Sequence, residues 1–222
     1  LMQMKIFRLP GKFIAIFCLI SVNLFGVTVN KKLYINRGEI LAVDSSNFSY
    51  MAFNKTLSFD KQNERLTVNV GDSLLLKIIN NDTITHGFNI KDYAGTNNTI
   101  LSGDSVELTL VFNTPSVHIY YDSYNYPLFR YMGLAGMIVV SNNVSKSFFW
   151  NLKDHQKSLN DSIAVGNIVS LTGYYPDYFT INGNSNPYIN EDSVARVSGN
   201  VGDTLYIYMV NTGQSVHSIH FH

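Results

Sequence analysis

The chain has 222 residues, of which 45% are hydrophobic and only 14% charged, a composition that supports a packed core and excludes a solvated, disordered polypeptide. Lys+Arg and Asp+Glu balance at 16 each, which removes any electrostatic case for nucleic acid or an anionic membrane surface as partner. Fourteen Tyr and 14 Phe, with many Val, Ile and Thr, favour strands, so an all-β protein is expected.

Residues 1–27 read as a secretory signal. Lys5, Arg8 and Lys12 precede the apolar run Phe13–Val22, which is too short for a membrane span, and cleavage is placed near Phe25–Val27. Export to the periplasm or the exterior is expected, with no membrane attachment beyond the signal, the alternative being a membrane-anchored N-terminus, since no Ala-x-Ala site precedes the cleavage point. Cys18, the single cysteine, lies inside this segment, so the mature part has neither a disulfide nor a thiolate for a metal. The chain starts on Leu1 and ends on His222, inside a motif, so it is expected to be a piece of a longer reading frame.

The first domain is placed at 28–141. Strands are expected at Lys32–Val43 with a break at Gly38, then at Phe48–Asn54. A hairpin around Gly71-Asp72 spans Arg65–Ile79, followed by Gly87–Ile90, Val106–Phe112, Val117–Tyr121 and Met132–Val140. Short strands at regular spacing argue for a Greek-key sandwich. Asn69-Val-Gly-Asp-Ser-Leu74 recurs as Asn200-Val-Gly-Asp-Thr-Leu205, and each copy runs into an Asn-rich turn and then a histidine, His86 and His217. A repeated unit of this kind implies two homologous β-domains. A polar linker precedes the second domain at 148–222, which opens with Phe148–His155 and continues through Tyr178–Gly183. Asp192–Tyr208 reads as two strands about a Gly-Asp turn, with the terminal histidines on the next strand. No segment shows a sustained helical period.

Three of the six histidines are His217, His220 and His222. On a strand, His220 and His222 share one face and His217 takes the other. Neutral imidazole is a common ligand for copper, zinc, iron and nickel. Three at this spacing point to a metal rather than to hydrogen bonding alone.

His217-Ser-Ile-His-Phe-His222, behind Val201–Gly213, resembles the His-x-x-His-x-His element of multicopper oxidases of the two-domain or ceruloplasmin-like kind. Tyr178-Phe-Thr-Ile-Asn-Gly183 resembles the strand that opens their copper-bearing domain. His86-Gly-Phe88 and Gly133-Leu-Ala-Gly-Met-Ile-Val-Val140 resemble cupredoxins. The resemblance implies tandem cupredoxin-like Greek-key β-sandwich domains, the second incomplete, with copper as cofactor. It assigns type 1 copper to His217 and type 2/3 copper to His220 and His222. It further implies a copper-dependent oxidoreductase taking electrons from a small-molecule or metal-ion reductant, with dioxygen as acceptor, and a homotrimer.

The first domain departs from that pattern. His86 matches the leading histidine, but Asp122 stands where the cysteine belongs and Leu134 where the axial methionine belongs. Tyr121 and Ser123 replace a His-x-His pair. Its type 1 site is therefore expected to be absent, with His86 a hydrogen-bonded core residue. The alternative to an oxidase is a non-catalytic copper-binding or electron-transfer protein, and a third reading is a β-sandwich scaffold. His118 is expected on a strand face, His155 in solvent, and Met132 and Met137 in the core.

Overall fold

The computed structural model describes residues 26–220 in full and, before them, the backbone of two strands, β1 (Met4–Arg8) and β2 (Ile14–Cys18), which pair antiparallel as a sheet of their own. The rest of the expected signal segment up to residue 25 lies outside the described residues, as do Phe221 and His222.

The first unit is a sandwich of two sheets. One is ordered β4 (Asn47–Asn54), β3 (Thr28–Leu41), β6 (Ser73–Asn80), β9 (Ser105–Val111). The other is ordered β5 (Leu66–Val68), β11 (Ala135–Val140), β10 (Ser116–Tyr121), β7 (His86–Ile90), β8 (Asn98–Ile100). Alternation fixes which face is inside: in β6 Leu74, Leu76 and Ile78 are buried while Leu75 is exposed. They meet Leu33, Ile35, Phe53, Phe88, Tyr120 and Ile138 in one core. Outside, Lys77 faces Glu107 directly across the ladder at 2.9 Å, the opposite-charge pairing an exposed sheet face favours.

Two expectations need correction here. The Gly71-Asp72 turn does not close a hairpin, because β5 pairs with β11 and β6 with β3 and β9, so the turn carries the chain from one sheet to the other. Nor is β3 broken at Gly38: the strand runs through it, and the Phe59 ring fills the space a Cβ would take.

After the linker come β12 (Ser147–His155), β13 (Tyr178–Ile181) and β14 (Tyr206–Asn211), a sheet ordered β13-β12-β14. Its β12 is antiparallel to β13 and parallel to β14, as β3 is antiparallel to β4 and parallel to β6. The repeat seen in the sequence is thus a repeat of topology. Between β12 and β13 lies a helix that periodicity did not announce, α2 (Lys157–Ala164). Its eight residues carry only two apolar anchors one turn apart, Leu159 and Ile163, and both enter the core of the first unit. The second sheet stacks on the outside of the first unit's five-stranded sheet through Met137, Val139 and Val210, with Phe149 and Tyr208 around them. That explains why all six residues of β11 are buried: both its faces are covered. The segment before β14, expected to include a further strand, is irregular. Among the described residues no helix is long and apolar enough to cross a membrane.

Candidate metal centre

Two turns of the molecule are built alike. Asn80 ends β6 and Asn211 ends β14. Each accepts on Oδ1 from the N–H two residues on, Asp82 at 2.9 Å and Gly213 at 3.0 Å. Each donates from Nδ2 to the carbonyl four residues on, Ile84 and Ser215, both at 2.7 Å. Side-chain bonds of this kind draw the backbone out of the ladder into a turn. Each turn delivers a histidine at the same distance, His86 and His217. The neighbouring strands share the register, Ile35 opposite Asn80 and Leu152 opposite Asn211. Arg37 and Asp154, two residues further on, therefore hold equivalent places beside the two turns.

In the first unit the histidine is fully engaged. His86 is buried, with Nδ1 2.7 Å from Asp122 Oδ2 and Nε2 3.0 Å from Asp82 Oδ2. A neutral imidazole has one N–H, so donation to both carboxylates requires imidazolium. Arg37 closes the chain, forking Nε (3.2 Å) and Nη2 (2.8 Å) onto Asp82. Asp122 also accepts from the N–H groups of Gly87 and Tyr124 and from Asn125 Nδ2. Burial by itself would lower the His86 pKa, but the hydrogen bonds to Asp122 and Asp82 outweigh it and hold the pKa raised. Burial likewise opposes ionisation of Asp82, and the bonds from His86 and Arg37 keep its pKa well below the usual range. Gly87 is required where it stands, since a Cβ there would lie 2.5 Å from the Tyr124 nitrogen.

Copper does not fit this arrangement. Both ring nitrogens of His86 are occupied, a carboxylate stands where a thiolate would be, and Leu134, whose carbonyl accepts from Asp122 N–H, presents a buried aliphatic side chain.

In the second unit the place of Asp82 falls to Gly213. A side chain could not fit there, because a Cβ would lie 1.9 Å from Asp154 Oδ1. The buried Asp154 accepts from the N–H groups of Gln214 (2.9 Å) and Ser215 (3.1 Å) and from the Ser215 hydroxyl (3.1 Å). Burial works to raise its pKa, yet the donors around it, Ser215 and Gln214 among them, hold it lowered. His217 Nε2 stands 3.6 Å from Asp154 Oδ1, beyond hydrogen-bond reach, and this buried atom has no hydrogen-bond partner among the described residues. Its ring sits edge-on to Phe179, 5.9 Å between centroids at 88°. Arg130, on the short helix α1 (Leu128–Tyr131) of the first unit, holds the turn by donating to the carbonyls of Thr212 (3.0 Å) and Gly213 (2.6 Å). A buried imidazole nitrogen without a hydrogen-bond partner among the described residues, beside a carboxylate, is chemically of the type that ligates a metal.

The strand argument for the three histidines does not hold as expected. β14 ends at Asn211, whose side chain takes the following backbone out of the sheet, so His217 and the exposed His220 lie in irregular chain. His222 lies outside the described residues. Among the described residues no three His, Cys, Asp or Glu side chains are gathered to hold a metal.

His155 is not in solvent as expected. It is buried against Phe48 (5.3 Å) and Tyr50 (5.4 Å), with Nε2 3.0 Å from Thr180 Oγ1. Burial and then Lys153 push its pKa down to about 3. Lys153-Asp154-His155 looked polar and therefore exposed, but β12 runs between the two units and is covered on both faces. His118 is a strand-face residue, bonded to Ser116 Oγ at 2.8 Å. Sequence reasoning missed Arg37, Asp82 and Asp154. The exchange of Asp82 for Gly213 between otherwise matching turns was the available clue.

No protein-family model matches the chain, and no curated protein is similar to it in sequence. Solved structures are similar in fold. A copper nitrite reductase from Nitrosomonas europaea shares 18% identity over 84% of this chain and 68% of its own, with a TM-score of 0.65. A blue copper oxidase from the same organism shares 21% over 84% of this chain and 61% of its own, at 0.67. The multicopper oxidase mgLAC shares 17% over 85% of this chain and 62% of its own, at 0.67. The chain thus spans about two thirds of the length of these structures, and it has their cupredoxin-type, tandem β-sandwich fold.

Proposed function

We propose that the chain binds copper through its second unit on the plan of a multicopper oxidase, with His217 as a type 1 ligand and His220 and His222 as ligands of type 2/3 copper. The first unit, on this reading, has exchanged its copper for the Arg37–Asp82–His86–Asp122 ion network. The observation that carries the proposal is His217 Nε2: buried, beside a carboxylate and without a hydrogen-bond partner among the described residues, in a turn whose twin engages both nitrogens of its histidine. Bound copper would supply one-electron redox chemistry. The chain's own residues position the ligand: Asn211 and Arg130 fix the turn, Phe179 limits the ring, and Asp154 places negative charge 3.6 Å from the donor nitrogen.

Oxidation of a small reductant with dioxygen, in an exported protein, is the enzymatic form of this reading. The non-catalytic form, copper binding or electron transfer, is favoured by one observation: His86, the histidine of the first unit that the fold would offer, is already held by two carboxylates. Copper(II) titration of the 222-residue chain followed by electron paramagnetic resonance tests the site. Imidazole nitrogen coupling is expected, reduced in His217→Ala and unchanged in His118→Ala, with no intense blue band because Cys18 is the only cysteine. Coupling unchanged in His217→Ala removes the assignment. Oxygen uptake with phenolic or ferrous reductants separates the two forms.

A further inference from the structure

Where the loop through residues 54–65 of the first unit meets β12 and the turn after β13, the chain leaves a cavity of about 330 Å³, large enough for a small metabolite. Arg65 forms one wall. Its guanidinium lies over the Phe149 ring at 3.9 Å from the centroid, and its Nε is buried with no hydrogen-bond partner among the described residues. Asn182 and Asp192 beside it are engaged. Asn182 accepts from Asn151 N–H and donates to Phe149 O, and Asp192 accepts from Gln62 and Asn182. A buried guanidinium N–H without an acceptor is costly. Arginine takes a carboxylate side-on through Nε and one Nη, two planar groups sharing parallel hydrogen bonds. Phe149 beneath the guanidinium holds its plane fixed for such a partner.

Glu64 and Asp60 also line the cavity. Their charge opposes a multiply charged anion and offers a seat for a cation a few ångströms from the carboxylate site. We propose that this cleft between the two units binds a small zwitterion of the amino-acid class, its carboxylate on Arg65 and its ammonium toward Glu64 and Asp60, with its side chain toward Met137 and Val194 of the cavity wall. The inference is independent of copper.

Isothermal titration of the full chain with L-leucine, acetate, ethylamine and inorganic phosphate tests it. Saturable binding of leucine is expected, weaker binding of acetate, and none of ethylamine or phosphate. Arg65→Lys keeps the charge and the ring contact but loses the fork, and should weaken leucine binding about tenfold, the loss of one good hydrogen bond. Glu64→Gln should weaken leucine while sparing acetate, which a purely structural role for the pair would not do. Circular dichroism establishes that both variants are folded. Absence of saturable leucine binding, equal binding of phosphate, or leucine affinity unmoved by both substitutions overturns the proposal.

Discussion

One structural context surrounds two histidines of different condition: His86 is held by two carboxylates, while the buried Nε2 of His217 has no hydrogen-bond partner among the described residues. His86 carries the only positive charge between Asp82 and Asp122 in a fully buried place. Removing one partner from a buried ionic group leaves the others uncompensated, typically a loss of about 3–5 kcal/mol. His86→Ala should therefore lower the unfolding free energy by roughly that amount in urea titrations. A loss near zero would mean that the network is solvated. The same site allows a sharper test of the proposal that ion pairs have replaced copper in the first unit. Asp122→Cys restores a thiol, but Leu134 still offers no donor, and the N–H groups of Gly87 and Tyr124 lose their acceptor. The variant should stay colourless with copper(II) and unfold at lower urea than the parent. An intense absorption band would show that one substitution is enough to recover the site.

At the scale of the element, the paired Asn turns decide where each histidine arrives. Asn80 is buried and makes three side-chain bonds, to Ile84 O, Ile100 O and Asp82 N–H, whereas the exposed Asn211 makes two. Truncating a buried residue that satisfies several backbone groups costs about 1–3 kcal/mol per orphaned group, and an exposed one far less. Asn80→Ala should thus cost several-fold more stability than Asn211→Ala, while Asn211→Ala should selectively weaken copper binding by displacing His217. Equal effects on stability, or an untouched copper site, would contradict the role of these turns. These elements were partly legible in the sequence. The strand run of the first unit, the Gly-Asp repeat and the equivalence of His86 with His217 follow from spacing alone, because period-two burial and turn residues are local properties. Pairing is not local: nothing near Gly71 tells that its flanking strands join opposite sheets. Nor could the burial of Lys153 and His155 be read, because it depends on which surface the second unit presses against. The ion network around His86 escaped for the same reason, since Arg37, Asp82 and Asp122 are brought together by strand pairing that local sequence does not show.

For the molecule as a whole, two buried histidines make stability depend on pH with opposite signs. His86 has a raised pKa in the fold, so the folded state holds its proton more tightly than the unfolded chain. Its contribution is complete below the unfolded value of 6.5 and is lost as pH rises through the raised folded value. His155, at the seam between the units, is depressed to about 3 from 6.5, so here the unfolded chain binds the proton first. Stability falls as pH drops from 6.5 toward 3, by at most about 5 kcal/mol, taking about 1.4 kcal/mol for each unit of pKa shift. Lys153, depressed by the same burial, tilts stability in the same direction as His155, but it is common to every variant compared and largely cancels in differences. The measurement is urea denaturation of the parent, His86→Gln and His155→Phe across the pH range. The stability gap between parent and His86→Gln should narrow toward alkaline pH, and the gap between parent and His155→Phe should move in favour of the phenylalanine variant as the solution becomes acidic. The seam between the units, being where His155 sits, should open first on the acid side, so fluorescence of Trp150 on β12 should respond before that of the first unit's tyrosines. Parallel pH profiles for all three proteins would show that neither His86 nor His155 has the buried, differently partnered environment from which the opposite signs are derived.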